Sequence, residues 1–487
     1  MIFDLAKEKP WLREECGWIL YCCINDLVSS KSGVKFVEAT LDHLCSSGLA
    51  RTPEGVSIWL AAKDAFPHAK FPRDIWKHDD PLDSREKRGI AKAMKESFAP
   101  DDEAPKEGRK VKLSGVWTSK LHFAWDAILA RIYDLQPVKE QPKAKSKPSR
   151  LSFVDFWIEV VDNGLFAAAA SEERKYWGFQ LFFKVLDQAP QDLVSFVFTK
   201  NLVRCLINQL ANEDRYLHRM AVKAAKSIQA RVSKEPEFAA AAVNGLMGPT
   251  GSINFDQVTK TKTIDKIVTE ANPEALKHIV SLFGHLIAHP GTTESQAAAS
   301  NRQFLSGLLL SIVRGRGATG GTFELIMRDI LFVLLRFAYF ADQSSRNVKD
   351  SSGASHNEGE EKEKHVRAAP KPAVTEGTQQ LFRTRINSCL NTLIHNNKDP
   401  ANLCYSLVRA IRDASTSMEY GKFIIEMGDT VRESVEGAFK SLRKLSRKAR
   451  VPRGGCIYFT ELMESRKNTV ERTRIVPESK PSGCSTP

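Results

Sequence analysis

Arg215, Arg219, Lys223 and Lys226 stand at intervals of four, four and three, the spacing that lines side chains along one face of an α-helix. Cations in such a row could track the phosphates of a nucleic acid and release its condensed counterions. The solvated face of a stacked helix carries the same pattern, so both readings stand. Farther along, seven of the fourteen residues from Lys440 to Arg453 are basic: Lys440, Arg443, Lys444, Arg447, Lys448, Arg450 and Arg453. They extend a helical pattern whose apolar face is Phe423, Met427, Val431, Val435, Ala438, Leu442 and Leu445. A basic cluster of this density suits nuclear import or nucleic-acid binding. The amphipathic pattern would also suit a membrane surface or a calmodulin-like partner, or simply a solvated face. The candidate nucleic-acid-binding residues are therefore Arg215, Arg219, Lys223, Lys226, Arg443, Lys444, Arg447, Lys448 and Arg450.

Motifs for catalysis are weak. The glycine-rich run Val313–Gly321 (VRGRGATGG) lacks the Gly-Lys-Ser/Thr ending of a phosphate-binding loop and follows a helix-period segment, not a strand. Gly245–Gly251 fails in the same way, and both read as loops between helices. Neither a Gly-x-Ser-x-Gly elbow nor a His-Glu-x-x-His helix occurs. The stretch Glu426–Val431 (EMGDTV) is similar to the Gly-Asp-Thr-Asp turn of family B DNA polymerases. Two-metal nucleotidyl transfer needs paired carboxylates to hold two cations about 4 Å apart. Here Val431 occupies the second carboxylate position, and at about 100° per residue Asp429 falls about 200° around the helix from Met427. No catalytic residue is assigned. The nine cysteines are scattered and form no Cys-x-x-Cys pair. His43 with Cys45 is a fragment of a metal site without a second pair, so no metal and no cofactor is expected.

The elements that would position these residues read as helices. Between Asn212 and Val232 the apolar residues Leu217, Met220, Ala221, Ala224 and Ile228 recur at helical spacing, and Asn212 and Asp214 are expected to cap the start. The same period runs through Leu181–Leu186, Leu202–Leu210, Ala275–Ile287, Phe304–Val313 and Phe323–Phe340. Breaks at Ala189-Pro190, Glu235-Pro236, Gly248-Pro249 and His289-Pro290-Gly291 separate them. Paired helices stacked as a solenoid are punctuated in this way. The expected organisation is a helical block over 1–136, a basic linker over 137–150 and a helical-repeat core over 151–341. A disordered insertion over 342–377 follows, poor in large apolar residues. A helical remnant over 378–450 ends in the basic amphipathic helix, and a disordered tail covers 451–487.

Over 487 residues, 71 Lys and Arg against 58 Asp and Glu leave a formal charge of +13, a balance that points toward polyanions. At about 150 residues per domain the length allows about three domains. Hydrophobic residues at 42% suffice for a sizeable core. The apolar run Ile330–Leu335 is far short of the roughly 20 residues a bilayer span needs. The first residues, MIFDLAK, lack the basic and apolar regions of a signal peptide. No membrane partner is expected.

Several segments together resemble a known family. They are Lys9–Trp18 (KPWLREECGW), Phe156–Phe166 (FWIEVVDNGLF), Ser171–Phe182 (SEERKYWGFQLF), Leu202–Leu210 (LVRCLINQL), Asp214–Arg219 (DRYLHR), Gly251–Asp256 (GSINFD) and Thr259–Thr263 (TKTKT). The pattern resembles the DNA polymerase V proteins of fungi and their animal relatives, DNA polymerase phi or Myb-binding protein, from the first residues to about residue 410. The resemblance implies an all-α, armadillo/HEAT-like solenoid of the nucleus and nucleolus. It implies a DNA- or RNA-binding scaffold in rDNA transcription regulation, rRNA production and ribosome biogenesis. Its partners would be rDNA or pre-rRNA and transcription or ribosome-assembly proteins. A protein-only co-regulator adaptor is the alternative, as is the DNA-directed DNA polymerase activity of the family's name. The chain begins inside a family motif and lacks the family's long acidic tract and large C-terminal half, so a shortened member is expected.

Overall fold

The computed structural model describes residues 8–27, 33–95, 119–133, 150–315, 321–341 and 372–396, together with residues 2, 5, 422, 423, 437, 440, 441 and 444. Most of the linker expected over 137–150, residues 342–371 of the expected insertion and the tail 451–487 lie outside these residues. Among the described residues the regular structure is helical, as expected, apart from one two-residue antiparallel pairing. It joins β1 (Phe340–Ala341) to β2 (Lys422–Phe423), with Phe340 opposite Phe423. The chain forms two compact units, one drawn from Met1–Arg316 and Glu358–Thr378, the other from Gly317–Asn357 and Gln379–Pro487.

The first unit opens with α1 (Arg13–Asp26), α2 (Gly33–Ser46), α3 (Pro53–Ala65), α4 (Lys87–Lys95) and α5 (Ala124–Tyr133). Thr52 shows how the sequence sets a boundary. Its hydroxyl accepts from the Gly55 N–H at 3.2 Å while Pro53, which has no N–H to lose, occupies the first turn. After residue 150, α6 (Phe153–Phe156) runs through a π-helical turn, Trp157–Asp162, into α7 (Asn163–Leu165). Helix α4 packs on that π-helical turn, and the Leu151 N–H donates to the Leu82 carbonyl at 2.7 Å. The helices on either side of the expected linker therefore pack on each other.

Next come α8 (Glu172–Gln188), α9 (Gln191–Val194), α10 (Lys200–Leu210), α11 (His218–Lys234) and α12 (Phe238–Met247). Short α13 (Phe255–Thr259) and α14 (Thr263–Glu270) lead to α15 (Pro273–Ala288) and α16 (Ser295–Gly315). The expected breaks at Pro190, Pro236, Pro249 and Pro290 all fall between helices. In α15 the buried residues Ala275, Leu276, Ile279, Val280, Phe283, Leu286 and Ile287 keep the three-and-four spacing, each Leu, Ile or Phe contributing about 1.5–3 kcal/mol on burial. Packing proceeds along the chain. Helix α8 packs on α11, α11 on α10, α12 and α14, α12 on α15, and α14 and α15 on α16. Each helix meets partners only a few elements away, which is the organisation of a helical solenoid. Helix lengths from 3 to 21 residues show no fixed repeat, and the armadillo/HEAT type rests on the resemblance alone.

The second unit is built on α17 (Gly321–Tyr339) and the part of α18 (Glu376–Asn396) from Gln379 onward. Ile326, Met327, Ile330, Leu331 and Leu334 form the buried stripe of α17. Phe337 lies 6.2 Å from Phe382, and Arg383 Nε donates to the Ala338 carbonyl at 3.3 Å. No helix among the described residues is long and apolar enough to cross a membrane.

Candidate nucleic-acid interface

Helix α10 is fixed at its N-terminus by Asp162, which the π-helical turn directs inward. Its buried carboxylate accepts from Thr199 Oγ1 at 2.6 Å and from the N–H groups of Leu202 and Asn201 at 2.8 and 3.2 Å. Two amides that the first helical turn leaves unpaired are satisfied in this way. At the other end of α10 the buried Gln209 side chain accepts from the Leu217 N–H at 3.3 Å, and His218 Nδ1 lies 3.0 Å from the Gln209 carbonyl. These contacts start α11 at His218, and they correct the expectation that Asn212 and Asp214 cap it. Asn212 Oδ1 instead accepts from the Asp214 N–H at 3.0 Å, closing a local turn.

The correction changes the basic stripe. Arg215 is exposed but sits in the turn before the helix, beside exposed Glu213 and Asp214. Two carboxylates next to one guanidinium leave that turn without a positive field. Arg219, Lys223 and Lys226 are exposed on α11, while Ala221, Ala224, Ala225 and Ile228 are buried on its other side. Lys223 Nζ lies 4.7 Å from the centre of the Phe183 ring, a contact that orients its charge without neutralising it. Arg215, Arg219, Lys223 and Lys226 enter no ion pair among the described residues. Tyr216, 78% exposed, stands between Arg215 and α11 and presents an aromatic face beside the cations.

Of the second basic cluster, Lys440 and Lys444 are exposed and helical. Arg443, Arg447, Lys448 and Arg450 lie outside the described residues, as do Asp429 and Val431. Gly315 ends α16 and Gly321 opens α17, and residues 316–320 between them are likewise outside. Gly245–Met247 form the last turn of α12 and 248–251 the turn after it. His43 and Cys45 lie on α2, and no group of three or more metal-ligating side chains occurs among the described residues.

Sequence reasoning missed two further sets of exposed cations. Lys200 and Arg204 lie one turn apart on α10, a spacing legible in the sequence. Lys260 and Lys262 belong to the T-K-T-K-T segment, where Lys260 takes a left-handed φ of 54°. Asp256 organises that segment. Its carboxylate accepts from the Ile264 and Asp265 N–H groups at 3.0 and 3.1 Å and from Thr261 Oγ1 at 3.3 Å. Burial pushes its carboxyl up, and these hydrogen bonds only partly offset the effect.

The family model for DNA polymerase phi matches residues 1–454. The rDNA transcriptional regulator pol5 of Schizosaccharomyces pombe is 25% identical over 466 residues, covering 92% of this chain and 44% of that protein. The rDNA transcriptional regulator POL5 of Saccharomyces cerevisiae is 26% identical over 367 residues, covering 70% of this chain and 35% of that protein. The chain thus spans less than half the length of the curated relatives it matches. With a family match over nearly its whole length, the chain belongs to the DNA polymerase phi family.

Proposed function

We propose that this chain is a nucleic-acid-binding helical scaffold that acts in the regulation of rDNA transcription in the nucleus and nucleolus, with a part in rRNA production and ribosome biogenesis. The observation that carries the reading is the exposed cationic face of α11, where Arg219, Lys223 and Lys226 have no carboxylate partner among the described residues. At 1.5 Å per residue the three span about 10 Å of helix axis, and a strand advancing about 3.4 Å per nucleotide offers them about three phosphates. Tyr216 adds a surface on which a base can stack. Lys440 and Lys444, with Arg443, Arg447, Lys448 and Arg450, supply a second basic segment for nucleic acid or nuclear import. The names of the two relatives point the nucleic-acid partner toward rDNA, and transcription or ribosome-assembly proteins are the corresponding protein partners.

The test is binding of the full chain to rDNA and pre-rRNA fragments across a salt series. The reading expects an affinity that falls steeply as salt rises. Failure to bind either nucleic acid at low salt, together with capture of transcription proteins that survives nuclease treatment, would replace the reading with a protein-only adaptor.

A further inference from the structure

On α10, Lys200, Arg204 and Asn208 recur every four residues and are all exposed, so they rise along one face of the helix. The turn after α12 stands opposite them. It is closed by the Gly251 N–H donating to the Gly248 carbonyl and the Ser252 N–H to the Leu246 carbonyl, each at 2.9 Å. Only glycine fits at 251, because a Cβ there would lie 1.9 Å from the Leu246 carbonyl oxygen. Pro249, Thr250 and Gly251 form one wall of an open cleft of about 360 Å³, and Lys200, Arg204 and Asn208 line the other.

The chemistry of that lining is one-sided. Its polar side chains are two cations, a carboxamide and a hydroxyl, with no carboxylate, and Ile207 and Pro249 complete the walls. Neither Lys200 nor Arg204 enters an ion pair among the described residues. The N–H groups of Asn201 and Leu202 are already taken by Asp162, so the field in the cleft comes from the two side chains and not from the helix end. The guanidinium of Arg204 presents the planar fork that matches phosphate oxygens, and Lys200 adds a point charge about 6 Å away along the axis. Helix α13 packs on α10, and exposed Lys260 and Lys262 follow it in the chain.

We infer that this cleft is a phosphodiester site, holding the backbone of a nucleic-acid strand between α10 and the 249–251 turn. The inference rests on the nucleic-acid reading proposed above and gives it a second place of contact, separate from α11. In the test, the full-length wild type and the K200Q/R204Q variant are titrated with a labelled ribosomal-DNA duplex over a salt series. The variant is expected to bind about tenfold more weakly near 0.1 M salt, with the salt slope reduced by about two contacts at 0.9 each, and with an unchanged unfolding midpoint. R204K is expected to fall between the two, because it keeps the charge and loses the fork. If the wild type binds neither this duplex nor a pre-rRNA fragment, the nucleic-acid reading itself fails and the cleft assignment with it. If the wild type binds and K200Q/R204Q matches it in affinity and slope, the cleft assignment alone is wrong. If poly-glutamate binds with the same slope and the same dependence on Lys200 and Arg204, the cleft docks acidic protein segments and the assignment to nucleic acid is wrong.

Discussion

Arg231 Nη1 on α11 donates to the carbonyl of Leu186, in the last turn of α8, at 2.7 Å. The same guanidinium reaches the carbonyls of Asp187 and Ala189 at 3.4 and 3.2 Å and pairs with Glu235 at 2.7 Å, and Arg231 is only 7% exposed. A cation thus caps the negative end of a neighbouring helix and satisfies carbonyls that α8 cannot pair itself. Arg302, 1% exposed, repeats the device on α16. Its Nε donates to the Ile287 carbonyl at the end of α15 at 2.9 Å, and its terminal nitrogens reach the carbonyls of Pro372 and Ala373. Replacing Arg231 with methionine keeps the bulk and leaves buried carbonyls unpaired. It should destabilise the first unit by about 3 kcal/mol, measured by urea unfolding. R231K should cost less, because lysine keeps the charge but cannot reach three carbonyls. Equal stability of R231M and wild type would show that the cap contributes nothing.

Glu54 gives a pH prediction. It is 4% exposed, with Arg13 Nε at 3.0 Å and His122 Nε2 at 3.6 Å. Burial alone would push its carboxyl up, but the His122 ring and the Arg13 guanidinium outweigh burial and hold it at about 2. A carboxyl depressed in the fold contributes its stability above the unfolded value near 4.5 and loses it as pH falls toward 2. The full contribution is about 3 kcal/mol by linkage. Unfolding followed between pH 5 and pH 2 should therefore show a steep loss in wild type and a flatter one in Glu54→Gln. Parallel curves would remove the carboxylate from the account.

Gly245, inside α12, is set by a side chain rather than by its own backbone. A Cβ there would lie 2.2 Å from Cγ of Phe198, whose ring stacks on Phe238 at 5.9 Å. Gly245→Ala should raise helix propensity yet destabilise by about 2 kcal/mol, because the ring must leave its packed position. The cost should shrink in a Phe198→Leu background. A double-mutant cycle in denaturant measures the coupling, and a coupling of zero would mean that the ring does not meet the new methyl.

These three residues also show how far the sequence could be read. The helices α15 and α17 were legible because their apolar residues repeat at three and four, and the prolines marked where helices stop. The start of α11 was not. Asn212 and Asp214 have the chemistry of caps, but Gln209, eight residues before Leu217, takes the amide that a cap would hold. Arg231 lay within the α11 pattern with nothing to distinguish it from a surface arginine, since its partner carbonyls come from about 45 residues earlier. The cleft on α10 was half legible. Lys200 and Arg204 have a readable spacing, but the 249–251 wall reaches them only through tertiary packing. Charge count and helical period are local properties of the chain, whereas capping carbonyls and cleft walls are not.

The basic face of α11 can be separated from general charge. Lys223 is the test position, because its ammonium is held over the Phe183 ring while remaining exposed. A cation fixed in direction loses less side-chain freedom when it meets a phosphate than a freely rotating one. The triple variant R219Q/K223Q/K226Q should lower the salt slope for duplex rDNA by about 2.7, at 0.9 per lost contact. Arg215→Gln should change it by much less, because Glu213 and Asp214 already offset that charge. Phe183→Leu should keep every charge and the slope, yet weaken binding by about two- to fivefold, since about 0.5–1 kcal/mol of orientation is lost. If R215Q and R219Q lower the slope equally, α11 is not a distinct surface and only the net charge of the chain matters.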